Sequence, residues 1–319
     1  MRWVTQLGGV FWAALLIAPW TLGDFHLFQF NLWMVMVLAL LGLHVLTGLG
    51  GMISIGHGAW LGCGAYVAAM TAVHLHWPLA LSLLAATLMG AALGALMAWV
   101  AGRLSGHLLA LATFALAAAW PQVLKAPGLG AWTGGSQGLT WLAFDTASDR
   151  ARLYTLGLVL LLAACMALER WARQRHWGLA LQALRDQPQA LEALGVNLTP
   201  LKVCAFAISG ALTSLAGGLG AAWVGFVSPD AYSAFLSITL LVGLAVSGVG
   251  LLSGLWLGAA FVQFVPNWAG EWSQSMPWAL QGACLLVVAY LAPQGWRHTQ
   301  AAWTRRWLTK SKRKPAEEV

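Results

Sequence analysis

Charge is what this chain of 319 residues has least of: only 8% of it is Asp, Glu, Lys or Arg, against 60% hydrophobic. A soluble domain carries about a quarter charged residues, so the composition excludes one. The apolar residues come in long continuous blocks, whereas a transmembrane barrel would show short alternating strands, and that excludes a barrel too. Cysteine is equally sparse. Cys63, Cys165, Cys204 and Cys284 stand singly in apolar stretches, with no Cys-x-x-Cys pair and no His at ligand spacing, so neither a disulfide frame nor a metal site is indicated. No Gly precedes a Lys anywhere, which removes the Gly-Lys-Ser/Thr phosphate loop and any ATP site of that type. Acids at membrane depth are lacking as well. Asp24, Asp145, Asp149, Asp230 and Glu271 fall in loops on one side, and Glu169, Asp186, Glu192, Glu317 and Glu318 on the other, leaving a proton or sodium relay without its carboxylates.

What remains is an all-α polytopic membrane protein with one transmembrane domain over residues 1–295 and a basic tail over 296–319. Hydropathy and breaker residues predict about ten transmembrane or partly spanning helices, near 7–23, 27–49, 52–76, 78–101, 104–124, 152–170, 200–226, 233–250, 252–268 and 276–293. The apolar run from Val10 to Ala18 has no small-x-small cleavage pattern after it and is expected to stay as the first span. With both termini cytoplasmic, all 17 basic residues except Lys125, Arg150 and Arg152 lie inside, as the positive-inside rule requires. The net charge of +7 then follows from topology and calls for no nucleic acid. Trp20, Trp77, Trp171, Trp268, Trp278 and Trp296 fall at span ends, where indole anchors the lipid interface. Trp296, Trp303 and Trp307 interleave with arginines ahead of the Lys310–Lys314 cluster, a tail suited to anionic headgroups.

Two segments break this pattern. Glycine is dense from Gly48 to Gly64, enough to weaken a helix, and exposed backbone at membrane depth is tolerated only against protein or a water-filled path. The stretch from Trp171 to Thr199 is the one sizeable hydrophilic interruption before the tail. In it Leu181, Leu184, Leu191 and Leu194 recur in a broadly helical pattern beside Arg185, Asp186 and Glu192. Pro188 is expected to shorten or delay that helix, and Gly195 to end it.

The run Thr47-Gly48-Leu49-Gly50-Gly51-Met52-Ile53-Ser54-Ile55-Gly56-His57-Gly58-Ala59-Trp60, with Gly62, Gly64, Ala65 and Tyr66, resembles the early segment of the branched-chain amino acid and urea permeases of ABC importers, the LivM-like subfamily. Four further blocks agree in order. They are Trp132-Thr133-Gly134-Gly135-Ser136-Gln137-Gly138-Leu139; Ala183-Leu184-Arg185-Asp186 with Glu192-Ala193-Leu194-Gly195-Val196-Asn197; Gly248-Val249-Gly250 with Gly254 and Gly258-Ala259; and Ala292-Pro293-Gln294-Gly295. Met52 departs from the pattern, standing where relatives commonly carry glutamine.

The resemblance implies an inner-membrane permease that works with a second homologous permease, two cytoplasmic ATPase subunits that bind the ATP, and a periplasmic or surface solute-binding protein. It places Gly48, Gly51, Ser54, Gly56, His57, Gly62 and Gly64 along the substrate path. Leu184, Arg185, Asp186, Leu191, Glu192, Ala193 and Gly195 fall at the ATPase coupling site in the cytoplasmic loop 171–199. Lys125, Thr133, Gly134, Gly135, Arg150 and Arg152 fall on the face for the binding protein. The cargo expected is a branched-chain or other small amino acid, with urea or a short amide as the alternative. Plainer readings stand beside these: a lipid-facing interfacial helix at 178–194, packing glycines at 90, 94, 250, 254 and 258, and a solvated outer loop. Two other classes also stay open, a passive small-solute channel and a haem oxidoreductase using His44 and His57.

Overall fold

A computed structural model of the chain describes residues 2–102, 104, 106–143 and 149–270, with short helical pieces between 276 and 287. The order is α1 (Arg2–Thr21), α2 (Asp24–Leu43), a π-helical turn (His44–Leu49), α3 (His57–Leu75), α4 (Leu79–Ala101), α5 (His107–Leu124), α6 (Gly130–Thr133), β1 (Leu139–Thr140), α7 (Asp149–Arg173), α8 (His176–Asp186), α9 (Pro188–Ala193), α10 (Leu198–Val224), β2 (Phe226–Val227), α11 (Ala234–Ser247) and α12 (Leu255–Gly270). Six helices are long and apolar enough to cross a membrane: 24–49, 57–75, 79–101, 107–124, 149–173 and 198–224. The chain is therefore a multi-pass, mainly helical membrane protein, but the expected ten spans are not met among the described residues. A breaker is the physical reason at α11. Gly248 closes α11 after 14 residues, short of the roughly 20 that a hydrocarbon core demands, and α12 is described over 16 residues, up to Gly270. The predicted span at 276–293 lies outside the described residues, apart from short pieces.

The bundle is organised on α10, which packs most extensively on α4, α3 and α2. These helices carry small residues where they meet. A Cβ at Gly64 would land on the Ser214 backbone, one at Gly90 on the Ser214 side chain, and one at Gly94 on the Phe206 backbone. Such seams let backbones approach closely enough for van der Waals packing to hold helices together in lipid. In α2, by contrast, most side chains are enclosed on every side, so its sequence has no polar face. Asn31 Nδ2 donates to Thr155 Oγ1 at 2.9 Å near one end of α2, and His44 meets Glu169 near the other. The two helices therefore run in parallel.

Contacts between loops sort into two ends. At one, β1 pairs antiparallel with β2 (Leu139 with Val227, Thr140 with Phe226), and Lys125 Nζ reaches Asp230 Oδ1 at 2.6 Å. At the other, Lys202 Nζ donates to the Gly102 carbonyl at 2.8 Å and Arg173 to that of Gly250 at 3.3 Å. Trp20, Trp77, Trp171 and Trp268 are exposed on the bundle, as lipid-interface anchors are. Trp33 and Trp223 are different: they turn inward, and their indole nitrogens donate to the carbonyls of Trp256 and Phe28.

Candidate functional site

The glycine-rich segment is the break that its composition predicts. After α2 the helix widens into the π-turn, Gly50 N–H reaching Val45 O and Met52 N–H reaching Leu46 O. Residues 50–56 then run without helix until α3 begins at His57, with Gly51 at φ +68°. Orphaned backbone groups inside a bundle are costly, and here hydroxyls serve them. Thr113 Oγ1 accepts from Ile55 N–H at 3.0 Å, Ser54 Oγ from Gly56 N–H at 3.3 Å, and Ser237 Oγ from Gly58 N–H at 2.8 Å, while Thr47 Oγ1 donates to Met52 O at 3.0 Å.

Side chains alternate along the extended piece: Met52, Ser54 and Gly56 are buried, whereas Gly51 and Ile53 are exposed and Ile55 half-buried. Of the residues assigned to the path, Gly48, Ser54, Gly56, His57, Gly62 and Gly64 therefore lie inside the bundle, and Gly51 is exposed beside Arg185. His57 is fully buried, its Nε2 2.8 Å from Ser209 Oγ, which donates at 2.7 Å to Gly42 O. Gly62 makes room for Trp120 and Tyr232, and Gly56 for Trp60 and Thr113. The haem alternative finds no support in this arrangement, since His57 Nε2 is engaged by Ser209 and His44 Nε2 points at Glu169.

Glu169 corrects an expectation. Placed by sequence among the inner-side carboxylates, it is instead only 6% exposed, with Oε1 at 3.4 Å from Nε2 of the fully buried His44. The helix α7 continues to Arg173, so Glu169 lies one turn inside its end and faces α2. Thr113, Ser209, Ser237 and Glu169 were all missed as site residues. A polar side chain inside an apolar run was the available signal.

The hydrophilic stretch folds back onto this break. Gln187 (φ −151°, ψ 72°) and Pro188 split it into α8 and α9, so the single helix expected over 178–194 is two. Proline opens α9 because its missing N–H is one that a first turn leaves unpaired anyway. Gly195, at φ +77°, ends α9: its N–H reaches Glu192 O and the Val196 N–H reaches Leu191 O, a pairing that favours a residue without Cβ. Leu181, Leu184 and Leu191 are buried against Leu46 and Met52 in one cluster, so the leucine face is covered by the chain itself. Leu194 departs from that face and is 79% exposed. Arg185 Nη1 donates to Gly48 O at 2.6 Å, and its stem lies against Gly51. Asp186, Glu192, Ala193 and Gly195 point outward. Beside them opens a cavity of about 470 Å³ lined by Gly102, Glu192, Gly195, Asn197, Thr199 and Lys202.

At the opposite end, Thr133 is buried and donates to Leu124 O at 2.7 Å, shaping its loop from within, with Gly134 and Gly135 in left-handed turns beside it. Lys125 is held by Asp230, Arg152 bonds Asp149 at 3.1 Å, and Arg150 is exposed. These residues thus share one end of the bundle, and those assigned to ATPase coupling share the other.

Comparison with known proteins fits this layout. The chain is 27% identical over 295 residues to the high-affinity branched-chain amino acid transport system permease protein LivM of Escherichia coli (strain K12), covering 83% of this chain and 68% of the relative. Its counterpart in Salmonella typhimurium is 27% identical over 292 residues, 82% and 67% of the two chains. A shorter match, 28% over 102 residues, covers 32% of this chain and 28% of the fructose import permease protein FrcC of Rhizobium meliloti. No solved structure matches. A family model described as "Branched-chain amino acid transport system / permease component" matches residues 27–290, and the chain belongs to that family.

Proposed function

We propose that this chain is the transmembrane permease subunit of an ABC importer in the bacterial inner membrane, carrying branched-chain or other small amino acids. It works beside a second homologous permease, is driven by two cytoplasmic ATPase subunits, and is fed by a periplasmic or surface binding protein. The observation that carries the proposal is the seating of α8 and α9 on the break at 48–52, which joins the hydrophilic segment to the non-helical stretch between α2 and α3. The end holding α8 and α9 is cytoplasmic on the positive-inside count, together with both termini. The ATPases dock on what that seating leaves exposed: Asp186, Glu192, Ala193, Gly195 and the cavity beside them. Leu184 and Leu191 hold the docking surface to the bundle.

The path runs along the outward edge of 50–56, at Gly51, Ile53 and Ile55, with Gly48, Ser54, Gly56, His57, Gly62 and Gly64 shaping it from behind. Such a wall suits compact neutral or zwitterionic solutes, which keeps urea and short amides as the second cargo. The outer loop, with Lys125, Gly134, Gly135, Arg150 and Arg152 around the buried Thr133, receives the binding protein, whose acidic residues those cations complement. The test is Glu192→Lys in the reconstituted transporter. Hydrolysis is expected to continue while uptake is lost, with the protein folded as before. Uptake at the wild-type level in that variant would count against the docking assignment, and solute flux through the permease without ATPases would favour a passive channel.

A further inference from the structure

The π-turn His44–Leu49 is held from two sides by buried or half-buried polar contacts. On one side the Gly48 carbonyl takes the Arg185 guanidinium of α8 at 2.6 Å. On the other, His44 meets Glu169 of α7, the pair 0% and 4% exposed. Between them His44 lies against Gly48 so closely that a Cβ there would sit 2.7 Å from Nδ1. The backbone in between is widened, bonded across five and six residues rather than four. Wide helical turns of this kind are frequent at functional sites, and they are where a helix yields first. A contact that ties the coupling segment to such a turn by a charge-assisted hydrogen bond is strong and directional.

We infer that His44–Leu49 is the hinge of the transport cycle and that Arg185 is a positioning residue: it passes movement of α8 and α9 to the extended segment 50–56, while Glu169, through His44, fixes α2 to α7 as the hinge's stationary side. Arg185 then acts within the permease and touches no ATPase. This rests on the coupling function proposed above and assigns that function a route. Three features agree with the division of labour. Arg185 is half-buried and turned toward the bundle, whereas its neighbour Asp186 is exposed. Met52, directly beyond the hinge, is packed into the same cluster as Leu181 and Leu184, so polar and apolar contacts pull on the same point. The Asn31–Thr155 bond anchors α2 to α7 at the far end, so a rotation of 44–49 leaves the body of α2 in place.

The experiment uses the complete transporter, with both permeases and both ATPases, in proteoliposomes supplied with binding protein and solute. In Arg185→Ala the ATPases are expected to co-purify and hydrolyse ATP as in the wild type, while solute imported per ATP falls roughly ten- to hundred-fold, the range a lost charge-assisted hydrogen bond spans. Arg185→Lys, which keeps a donor for the carbonyl but not the planar fork, should restore part of the loss. If Arg185→Ala instead sheds the ATPases, Arg185 belongs to the docking surface: the hinge inference falls and the coupling proposal stands. An unchanged import ratio also overturns the inference. If Glu192→Lys has no effect while Arg185→Ala uncouples, the docking assignment fails and the hinge survives. Should Arg185→Ala not fold, spin labels placed singly at the exposed positions Ile53 and Leu194 in the otherwise native protein decide the matter. Both must move relative to a label on Leu160 when a non-hydrolysable ATP analogue binds, and a motionless Ile53 rejects the hinge.

Discussion

The His44–Glu169 contact sets up a double-mutant cycle whose result depends on burial and proximity alone. His44 is fully enclosed and the Glu169 side chain is 4% exposed, with Nε2 and Oε1 3.4 Å apart. Two opposite unit charges at that separation would attract by about 5 kcal/mol at an effective dielectric of about 20. Removing one partner of such a pair leaves the other buried and costs about 3–5 kcal/mol. His44→Leu, which strands the carboxylate, should be the worst of the set. Glu169→Leu leaves one buried imidazole without a partner and should cost about 1–3 kcal/mol, the desolvation of one unmade hydrogen bond. The double variant His44→Leu/Glu169→Leu replaces the pair by apolar groups in an apolar surround and should recover most of the loss, as replaced buried pairs do elsewhere. The assay is reversible unfolding of the detergent-solubilised permease by a denaturing detergent, followed by Trp fluorescence. A coupling energy near the upper figure identifies a charged pair, and one near 1 kcal/mol a neutral hydrogen bond. Additivity within about 0.5 kcal/mol would show that the two side chains do not interact and would refute the reasoning.

Two further outcomes follow from single contacts. Thr113→Val keeps the volume but takes away the acceptor for the Ile55 N–H, so it should cost about 1–3 kcal/mol in the same assay while Thr113→Ser stays near wild type. Gly64→Ala drives a methyl into the Ser214 backbone and should destabilise by about 1–3 kcal/mol, whereas Gly157→Ala, on an open helical face, should stabilise by up to about 1 kcal/mol. Equal effects at the two glycines would show that α3 and α10 are not pressed together there.

The membrane class, the break after Thr47 and the end of α9 at Gly195 were legible because each depends on local chemistry: long apolar blocks, glycine density, a left-handed position. Partnership was less so. Leu181, Leu184 and Leu191 announce an amphipathic helix, but periodicity is silent on what covers its apolar side, and here the chain covers it with Leu46 and Met52. Glu169 precedes Arg170 and Arg173, so it reads as part of a cytoplasmic rim. Only the meeting of α7 with α2, over a hundred residues earlier in the chain, buries it. The hydroxyls of Thr113, Ser209 and Ser237 are in the same position, since each serves backbone or a side chain that no sequence window contains. The short α11 was overcounted because its apolar content runs on past Gly248, which ends the helix.

The alternation along 50–56 has one more consequence. Its only hydroxyl, on Ser54, is spent on Gly56, and the side chains it leaves outward are Ile53 and, in part, Ile55. On the proposed path a travelling amino acid would meet hydrocarbon there and no side-chain polar group, so departure would be as easy as arrival. A path of that kind would discriminate by girth and little else, and would leave choosiness to be exercised before the cargo is handed over.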